Sequence, residues 1–326
     1  MNDYYDGSSY DTETVRFFDV AHEGAQVRAV SGVVEQLAGL RGRQPRSIIV
    51  VATDHIALAA ARFAAANRAP LRMPLVVCDR MPSYVGPLDI VLAVGDKADD
   101  PLTAHELITA ANRGATTIFV GPATGPIRED LPRDCLAVPA LPTAVGSSPA
   151  RTITAVGTLL DALEEDPALV TERLNKLVEE IDDEAAQLSP ERDEVVNLGR
   201  QLRTWSEGAR ILHTGVDRCW TAAAELIAAL WSSRGLSSGW TTSEEVPTAL
   251  RDQPAGPDLF HDPFLDGPAT VLPLRVIVWG AETTELAHAT AVPAPASGLG
   301  LLGQVHRLIT RGFAVTTYNG TQDDAL

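Results

Sequence analysis

Two residues of the segment 241–267 have side chains that could move protons. Glu245 lies in the sequence SEEV and His261 in the sequence DLFHDP. A carboxylate can abstract a proton next to a carbonyl group, and an imidazole titrates near neutral pH. The two residues therefore fit an acid–base pair. They also fit a loop without chemistry, because Ser243 could cap a helix with Glu244 and Glu245 in its first turn, and a single loop histidine is commonly a surface residue.

Two loops join a predicted strand to a predicted helix. The sequence ATDHIA, with Thr53 and Asp54, and the sequence GDKADDP, with Gly95, Lys97 and Asp100, each follow a β-branched run and precede a helix. Backbone N–H groups at a helix start can bind an anion. The acids oppose a phosphate dianion, because two unit charges about 4 Å apart repel by about 4 kcal/mol at an effective dielectric of 20. A phosphate-free or cationic ligand would suit the acidic loop better.

The same acids also have structural interpretations. Asp54 is suited to N-cap the helix that follows it, and Asp100 precedes Pro101, which fits the first helical position. The group of Asp96, Asp99 and Asp100 could bind a divalent cation through oxygen ligands, but capping explains it at least as well. We expect no cofactor and assign no metal site.

The order of apolar runs and helical patterns predicts an α/β fold. From RSIIVVATD to ATTIFVG, β-branched runs alternate with helical patterns, which is typical of a parallel sheet covered on both faces. A second series starts at ARILHTGVD and ends in a helix around ETTELAHATA, a helix LLGQVHRLITRG and a final strand FAVTTYNG. Gly114 and Gly312 are expected to end helices in the left-handed conformation. We predict two domains, 1–150 and 207–326.

Residues 151–206 are expected to form an acidic helical connector between the two domains. Pro167 and Pro190 each follow a capping residue and fit the first position of a helix. Apolar residues between 174 and 188 recur at helical spacing. The charge run from Glu179 to Glu184 is expected to be the solvated face of that helix.

Composition and charge exclude several classes of function. The 326 residues have a formal net charge of −17, and the only lysines are Lys97 and Lys176. A nucleic-acid backbone needs clustered Lys and Arg, so we expect no nucleic acid partner. No apolar run approaches the ~18 residues of a membrane helix, and the acidic start does not resemble a signal peptide, so we expect no membrane contact and a cytoplasmic protein. Three scattered cysteines indicate free thiols.

The doubled α/β pattern with helix-capped loops resembles the sugar isomerase (SIS) fold, and more narrowly the bifunctional phosphoglucose/phosphomannose isomerase family. SEEV takes the place of that family's Asn-Glu-Asn box and DLFHDP that of its Glu-Leu-Asn-His-Asn-Glu box, at a similar separation. The resemblance implies two SIS-like three-layer α/β/α subdomains with mostly parallel five-stranded sheets. It also implies that Glu245 shuttles a proton between C1 and C2 of a hexose 6-phosphate, that His261 opens the sugar ring, and that the protein is a homodimer.

Departures from the family leave two hypotheses open. GDKADDP replaces the family's Ser-Tyr-Ser-Gly-Asn-Thr loop, ATDHIA replaces a Gly-Gly-Ser-like turn, and no lysine follows Lys176 where the family has one near the C-terminus. The residues at the matching positions are expected to contact a small sugar derivative: Thr53, Asp54, Gly95, Lys97 and Asp100. The chain is then either an aldose–ketose isomerase or an SIS-fold binding or regulatory protein without turnover.

Overall fold

The computed structural model describes residues 11–141, 146–251 and 272–320, which form two parallel β-sheets with helices packed against them. The first sheet contains β1 (Ser47–Ala52), β2 (Leu75–Cys78), β3 (Asp89–Val94), β4 (Thr116–Gly121) and β5 (Leu136–Pro139). The second contains β6 (Arg210–Gly215), β7 (Ser238–Trp240), β8 (Leu274–Trp279) and β9 (Ala289–Val292). The strand orders are β2-β1-β3-β4-β5 and β7-β6-β8-β9, and every described pair is parallel.

Helices connect and cover the strands, as a parallel sheet requires. They are α1 (Thr12–Ala21), α2 (Glu23–Ser31), α3 (His55–Asn67), α4 (Pro101–Asn112), α5 (Pro126–Glu129), α6 (Pro149–Ala162), α7 (Pro167–Gln187), α8 (Leu198–Ser206), α9 (Arg218–Ser233), α10 (Val246–Arg251) and α11 (Leu301–Val315), with a 3₁₀ helix at Val34–Leu40. Among the described residues, no helix combines the length and the apolar character needed to cross a membrane.

The first sheet is the middle layer of a three-layer sandwich, as the sequence predicts. All six residues of β1 are buried, and alternate side chains enter different cores. Ile48 and Val50 belong to the core that includes Phe63 of α3, whereas Ile49 and Val51 belong to the core on the opposite face, which includes α4. The β-branched run of β1 is continuous because the side chains on both faces of the strand are buried.

The second sheet has four strands among the described residues instead of the expected five. The segment FAVTTYNG, predicted as the final strand, is the end of α11 and the turns that follow it. Val305, Leu308, Ile309 and Phe313 recur at helical spacing and are all buried. Packing of this apolar face outweighs the strand preference of the β-branched residues at its end.

The two glycines predicted to end helices differ in role. Gly114 has a φ of +84° and follows α4, as expected. Gly312 lies inside α11, where a Cβ atom would be 2.8–3.0 Å from side-chain atoms of Ile227. The expectation for Gly312 is wrong because this glycine serves close packing between α11 and α9, and its carbonyl accepts a hydrogen bond from Trp231 Nε1 at 2.7 Å.

The helix expected around ETTELAHATA is also wrong, because β9 lies there. Ala289 and Ala291 pack in the core on one side of the second sheet, and Val292 packs in the core on the other. This spacing of two is that of a strand. Parallel pairing with β8 then places the segment at the edge of the sheet.

Helices α6, α7 and α8 lie in the segment that is expected to be the connector. The expectation of a fully solvated charge run on α7 is wrong at Glu184, which is buried and paired with Arg307 and Arg311 of α11. Helix α8 begins after its cap Asn197, and no helix starts at Pro190. The domain boundaries stay a prediction, since one apolar core joins the inner faces of both sheets to the connector.

Candidate functional site

The carboxyl ends of β1 and β3 mark the point where the first sheet changes its direction of winding. These strands are neighbours, and the chain leaves β1 toward β2 on one side and β3 toward β4 on the other. In open α/β sheets the diverging connections leave a crevice in which ligands bind. Both loops singled out in the sequence, at 53–54 and 95–100, begin at this point.

A cavity of about 560 Å³, which we call the switch-point pocket, lies at these strand ends. Its lining is Ala52, Thr53, Asp54, His55, Leu58, Asp79, Arg80, Lys97, Asp99, Asp100 and Pro101. Four of the five residues predicted to contact the ligand are in this lining. The fifth, Gly95, lies directly behind it with a φ of +136°, and a Cβ atom there would be 2.1 Å from Thr53 Oγ1. Only glycine fits that position.

Asp54 joins the two main loops of the switch-point pocket. It N-caps α3, and its Oδ1 accepts a hydrogen bond from the N–H of Ala57 at 2.8 Å. Its Oδ2 accepts another from the N–H of Asp96, in the loop after β3, at 2.9 Å. The capping interpretation is confirmed, and this carboxylate occupies two donors that an incoming anion would otherwise use.

Asp100 caps α4 and contributes a second fixed negative charge. Its carboxylate accepts hydrogen bonds from the N–H of Leu102 at 3.2 Å and from the hydroxyl of Thr103 at 2.7 Å. Burial acts to raise the pKa of Asp100, but these hydrogen bonds and the nearby Arg80 outweigh it and hold the pKa below its ordinary value. Asp100 is therefore ionised at neutral pH.

The pocket contains more negative than positive groups. Its carboxylates are those of Asp54, Asp79, Asp99 and Asp100, and its cationic side chains are those of Arg80 and Lys97. Arg80 lies 3.4 Å from Asp100, whereas Lys97 forms no ion pair with another described residue. Within the described ranges, no group of three or more His, Cys, Asp or Glu residues is placed to hold a metal ion.

A buried ion pair fixes the loop after β3 from behind. Arg151, in the first turn of α6, is fully buried and pairs with Asp96. Asp96 also accepts a hydrogen bond from the N–H of Ser148 at 3.1 Å, and Arg151 donates to Gln26 Oε1 at 2.9 Å. Asp96 is therefore not part of the pocket lining, and its contacts fix the backbone of the loop next to Lys97.

Glu23 of α2 completes this buried cluster. Its Oε2 accepts a hydrogen bond from the N–H of Ala150 at 2.8 Å, and its Oε1 has no partner among the described residues. Burial raises the pKa of Glu23 to about 8, although Ser148, Ala150 and Arg151 act in the opposite direction. The group is therefore mostly protonated at neutral pH, so that the cluster holds one balanced ion pair.

Three solved structures are similar in fold to this chain. Tagatose-6-phosphate ketose/aldose isomerase from Escherichia coli is 11% identical, with a TM-score of 0.57 over 92% of this chain and 91% of that chain. Glucosamine-6-phosphate deaminase from Thermotoga maritima is 10% identical, with a TM-score of 0.56 over 92% of each chain. The C-terminal domain of glucosamine-fructose-6-phosphate aminotransferase from Francisella tularensis is 11% identical, with a TM-score of 0.57 over 96% of this chain and 98% of that chain.

This chain has the SIS fold. No protein-family model and no curated protein matches its sequence. The SIS fold predicted from the order of elements is confirmed, and the narrower likeness to phosphoglucose/phosphomannose isomerases stays a proposal.

Of the predicted acid–base pair, only Glu245 lies among the described residues. Glu245 is exposed and accepts a hydrogen bond from the hydroxyl of Thr241 at 2.6 Å. Helix α10 begins at Val246, so Glu244 and Glu245 precede the helix and do not lie in its first turn. Glu245 is not part of the switch-point pocket, and His261 lies outside the described residues.

The second SIS-like half has a filled switch point. Asp217 N-caps α9 in the same way as Asp54 N-caps α3. The third residue after the cap is Trp220 in α9 and Ala57 in α3. Trp220 is buried, and a Cβ atom at Gly280 would be 2.6 Å from its indole. The bulky indole therefore occupies the space beside the carboxyl ends of β6 and β8 that a small alanine leaves free in the first half.

Several residues of the switch-point pocket and of the buried cluster behind it were not predicted from the sequence. Asp79 and Arg80 directly follow β2, and this position at the same sheet edge as β1 and β3 could have indicated them. Glu23 and Arg151 carried no usable signal, because their partners in the cluster are distant in sequence. The three cysteines are free, as predicted, and burial raises the pKa of Cys78 to about 11.

Proposed function

We propose that this SIS-fold chain binds a carbohydrate derivative with a positive charge in the switch-point pocket. The observation that carries the proposal is the charge of the pocket, where four carboxylates face two cationic groups at the position that this sheet topology favours for a ligand. Carboxylates accept hydrogen bonds from sugar hydroxyls and from ammonium groups alike. A phosphate dianion alone would meet net repulsion.

An amino sugar phosphate matches both kinds of side chain. Asp79 and Asp99 are suited to an ammonium group, and Lys97 and Arg80 are suited to a phosphate group. Two of the similar structures carry names that include glucosamine and a sugar 6-phosphate. Glucosamine 6-phosphate is therefore the first ligand to test.

Replacing Lys97 with alanine is expected to weaken the binding of glucosamine 6-phosphate at least about tenfold, because a hydrogen bond to a charged group contributes about 1.5–3 kcal/mol. The matched control is Lys176→Ala, since Lys176 is the other lysine and pairs with Glu172 on the exposed face of α7. Isothermal titration calorimetry gives both affinities. Equal losses in the two variants, or no binding to the unchanged protein, would contradict the proposal.

Aldose–ketose isomerisation is the second candidate function. It is favoured by the place of Glu245 in the loop after β7 and by the likeness to a ketose/aldose isomerase. In this proposal Glu245 moves the proton between C1 and C2 of a hexose 6-phosphate, and His261 opens the ring. Incubation with fructose 6-phosphate should then yield glucose 6-phosphate or mannose 6-phosphate. Glu245→Gln should abolish this turnover and Glu244→Gln should preserve it, while turnover that survives Glu245→Gln would contradict the mechanism.

The proposed assembly is a homodimer, as the resemblance implies. Light scattering of the purified chain measures its mass in solution. A mass of one chain at micromolar concentration would contradict the dimer without affecting the binding proposal.

A further inference from the structure

Trp240 has an exposed indole that no described contact explains. Its side chain is 44% exposed, whereas the other four tryptophans are buried or half-buried. It is the last residue of β7, which is one of the two edge strands of the second sheet among the described residues. Val216, which follows the neighbouring strand β6, is also exposed, at 49%. The two residues therefore expose apolar surface at the carboxyl ends of the strands, and this exposed surface is not part of the buried core.

Both residues line a second cavity of about 410 Å³, which we call the Trp240 pocket. Its lining combines apolar side chains, among them Trp240 and Val216, with the hydroxyl groups of Thr221, Thr242 and Ser243. This volume lies within the ~300–1,000 Å³ typical of small-molecule sites. A flat apolar surface bordered by hydroxyl groups matches a pyranose ring, whose faces carry C–H groups and whose rim carries hydroxyls.

The charges of the Trp240 pocket favour an uncharged ring. Arg62 and Glu225 form an ion pair at 2.8 Å in its wall and so neutralise each other. The remaining charged groups are Asp217, Arg218 and Glu244. This near balance differs from the acidic switch-point pocket, so the two cavities suit different parts of a ligand.

Helix α3 connects the two cavities. His55 and Leu58 line the switch-point pocket, and Arg62 and Ala66 line the Trp240 pocket. These positions recur at a spacing of three to four residues and therefore lie on one face of the helix. At 1.5 Å per residue, the nearest of these residues, Leu58 and Arg62, are about 6 Å apart along the axis. Both pockets thus open on the same side of α3, about one helical turn apart at their nearest residues.

We propose that the Trp240 pocket is a second carbohydrate subsite, which binds an uncharged pyranose ring of a two-ring sugar whose charged ring occupies the switch-point pocket. The inference rests on the proposed function for the class of ligand. It names the ligand more closely, as a disaccharide derivative with one amino sugar. Stacking of the ring on Trp240 and hydrogen bonds to Thr242 and Ser243 supply the binding.

The test compares glucosamine with β-1,4-linked glucosyl-glucosamine by calorimetry. The disaccharide should bind the unchanged protein about tenfold more tightly, because of the stacked second ring. Trp240→Ala should remove this gain and leave the affinity for glucosamine unchanged, whereas Trp240→Phe should keep most of it. Tyr84→Ala is the control for loss of an exposed aromatic ring, since Tyr84 is 50% exposed and lines neither pocket.

The outcomes separate this inference from the proposed function. If glucosamine binds and the second ring adds nothing, or if the gain survives Trp240→Ala, the subsite is overturned and the proposed function stands. If glucosamine does not bind but the disaccharide does so through Trp240, the subsite stands and the charge argument for the switch-point pocket is overturned. Absence of binding by both sugars overturns the subsite, and the proposed function is then decided by the titration with glucosamine 6-phosphate.

Discussion

The protonation of Glu23 is expected to affect the stability of the fold behind the candidate site. Its carboxyl group is buried behind the loop that carries Lys97, next to the ion pair of Arg151 and Asp96. Ionisation of Glu23 would add a second buried carboxylate to a cluster with a single guanidinium group. The cost of burying that extra charge is the reason for its raised pKa.

The pH dependence of stability should show this group. In the unfolded chain Glu23 loses its proton near pH 4.5, and in the folded chain near pH 8. Between these values the folded state holds the extra proton, so the free energy of unfolding falls as pH rises, by up to about 1.4 kcal/mol per pH unit. Urea unfolding from pH 5 to pH 8 should show Glu23→Gln gaining stability relative to the unchanged protein as pH increases.

Glu35→Gln is the control for this measurement, because Glu35 is an exposed carboxylate on the neighbouring 3₁₀ helix. Its stability should follow that of the unchanged protein across the range. A constant difference between Glu23→Gln and the unchanged protein from pH 5 to pH 8 would contradict the account of the buried cluster.

Residues that act through local contacts were predictable from the sequence, and residues that act at a distance were not. Asp54 and Asp100 cap helices through N–H groups two or three residues ahead, so their spacing alone identified them. The partners of Arg151 and Glu23 lie 55 and 127 residues away in the chain. Only the fold brings these together, and no local pattern indicates them.

The secondary structure of the first half agrees closely with the prediction from the sequence, whereas that of the end of the second half does not. Strands β1, β3 and β4 are β-branched runs buried on both faces, so composition and period agreed. The segment after α11 has β-branched residues, but its place is decided by packing of that helix on α9. Tertiary contacts outweigh local preference there.

Gly312 gives a test of this helix packing. A methyl group at Gly312 would meet the buried Ile227, so Gly312→Ala should lower the free energy of unfolding by about 1–3 kcal/mol despite the better helix preference of alanine. Gly39→Ala is the control, because nothing lies within 4 Å of its added methyl. Denaturant unfolding measures both variants.

A double variant identifies the contact responsible. The cost of Gly312→Ala should shrink when Ile227 is shortened to valine, because the two changes act on one contact. Unchanged stability in Gly312→Ala, or fully additive costs in the double variant, would show that α11 and α9 are not packed as closely as described.

The two similar halves of the molecule differ at their switch points. Each half begins with a strand, an aspartate cap and a helix, and the caps Asp54 and Asp217 have nearly the same backbone conformation. Ala57 leaves the first switch point open, and Trp220 fills the second. The doubling was visible in the sequence. The asymmetry was not, since it depends on which side chain points between the strand ends.

We propose that the open, acidic switch-point pocket binds a sugar with a positive charge. Calorimetric titration of the unchanged protein with glucosamine 6-phosphate and with glucose 6-phosphate at pH 7 tests it most directly, because the two ligands differ only in the amino group. We predict that glucosamine 6-phosphate binds at least about tenfold more tightly, since its ammonium group gains a charge-assisted contact with the pocket's carboxylates. Equal affinities, a preference for glucose 6-phosphate, or no binding of either ligand would contradict the claim.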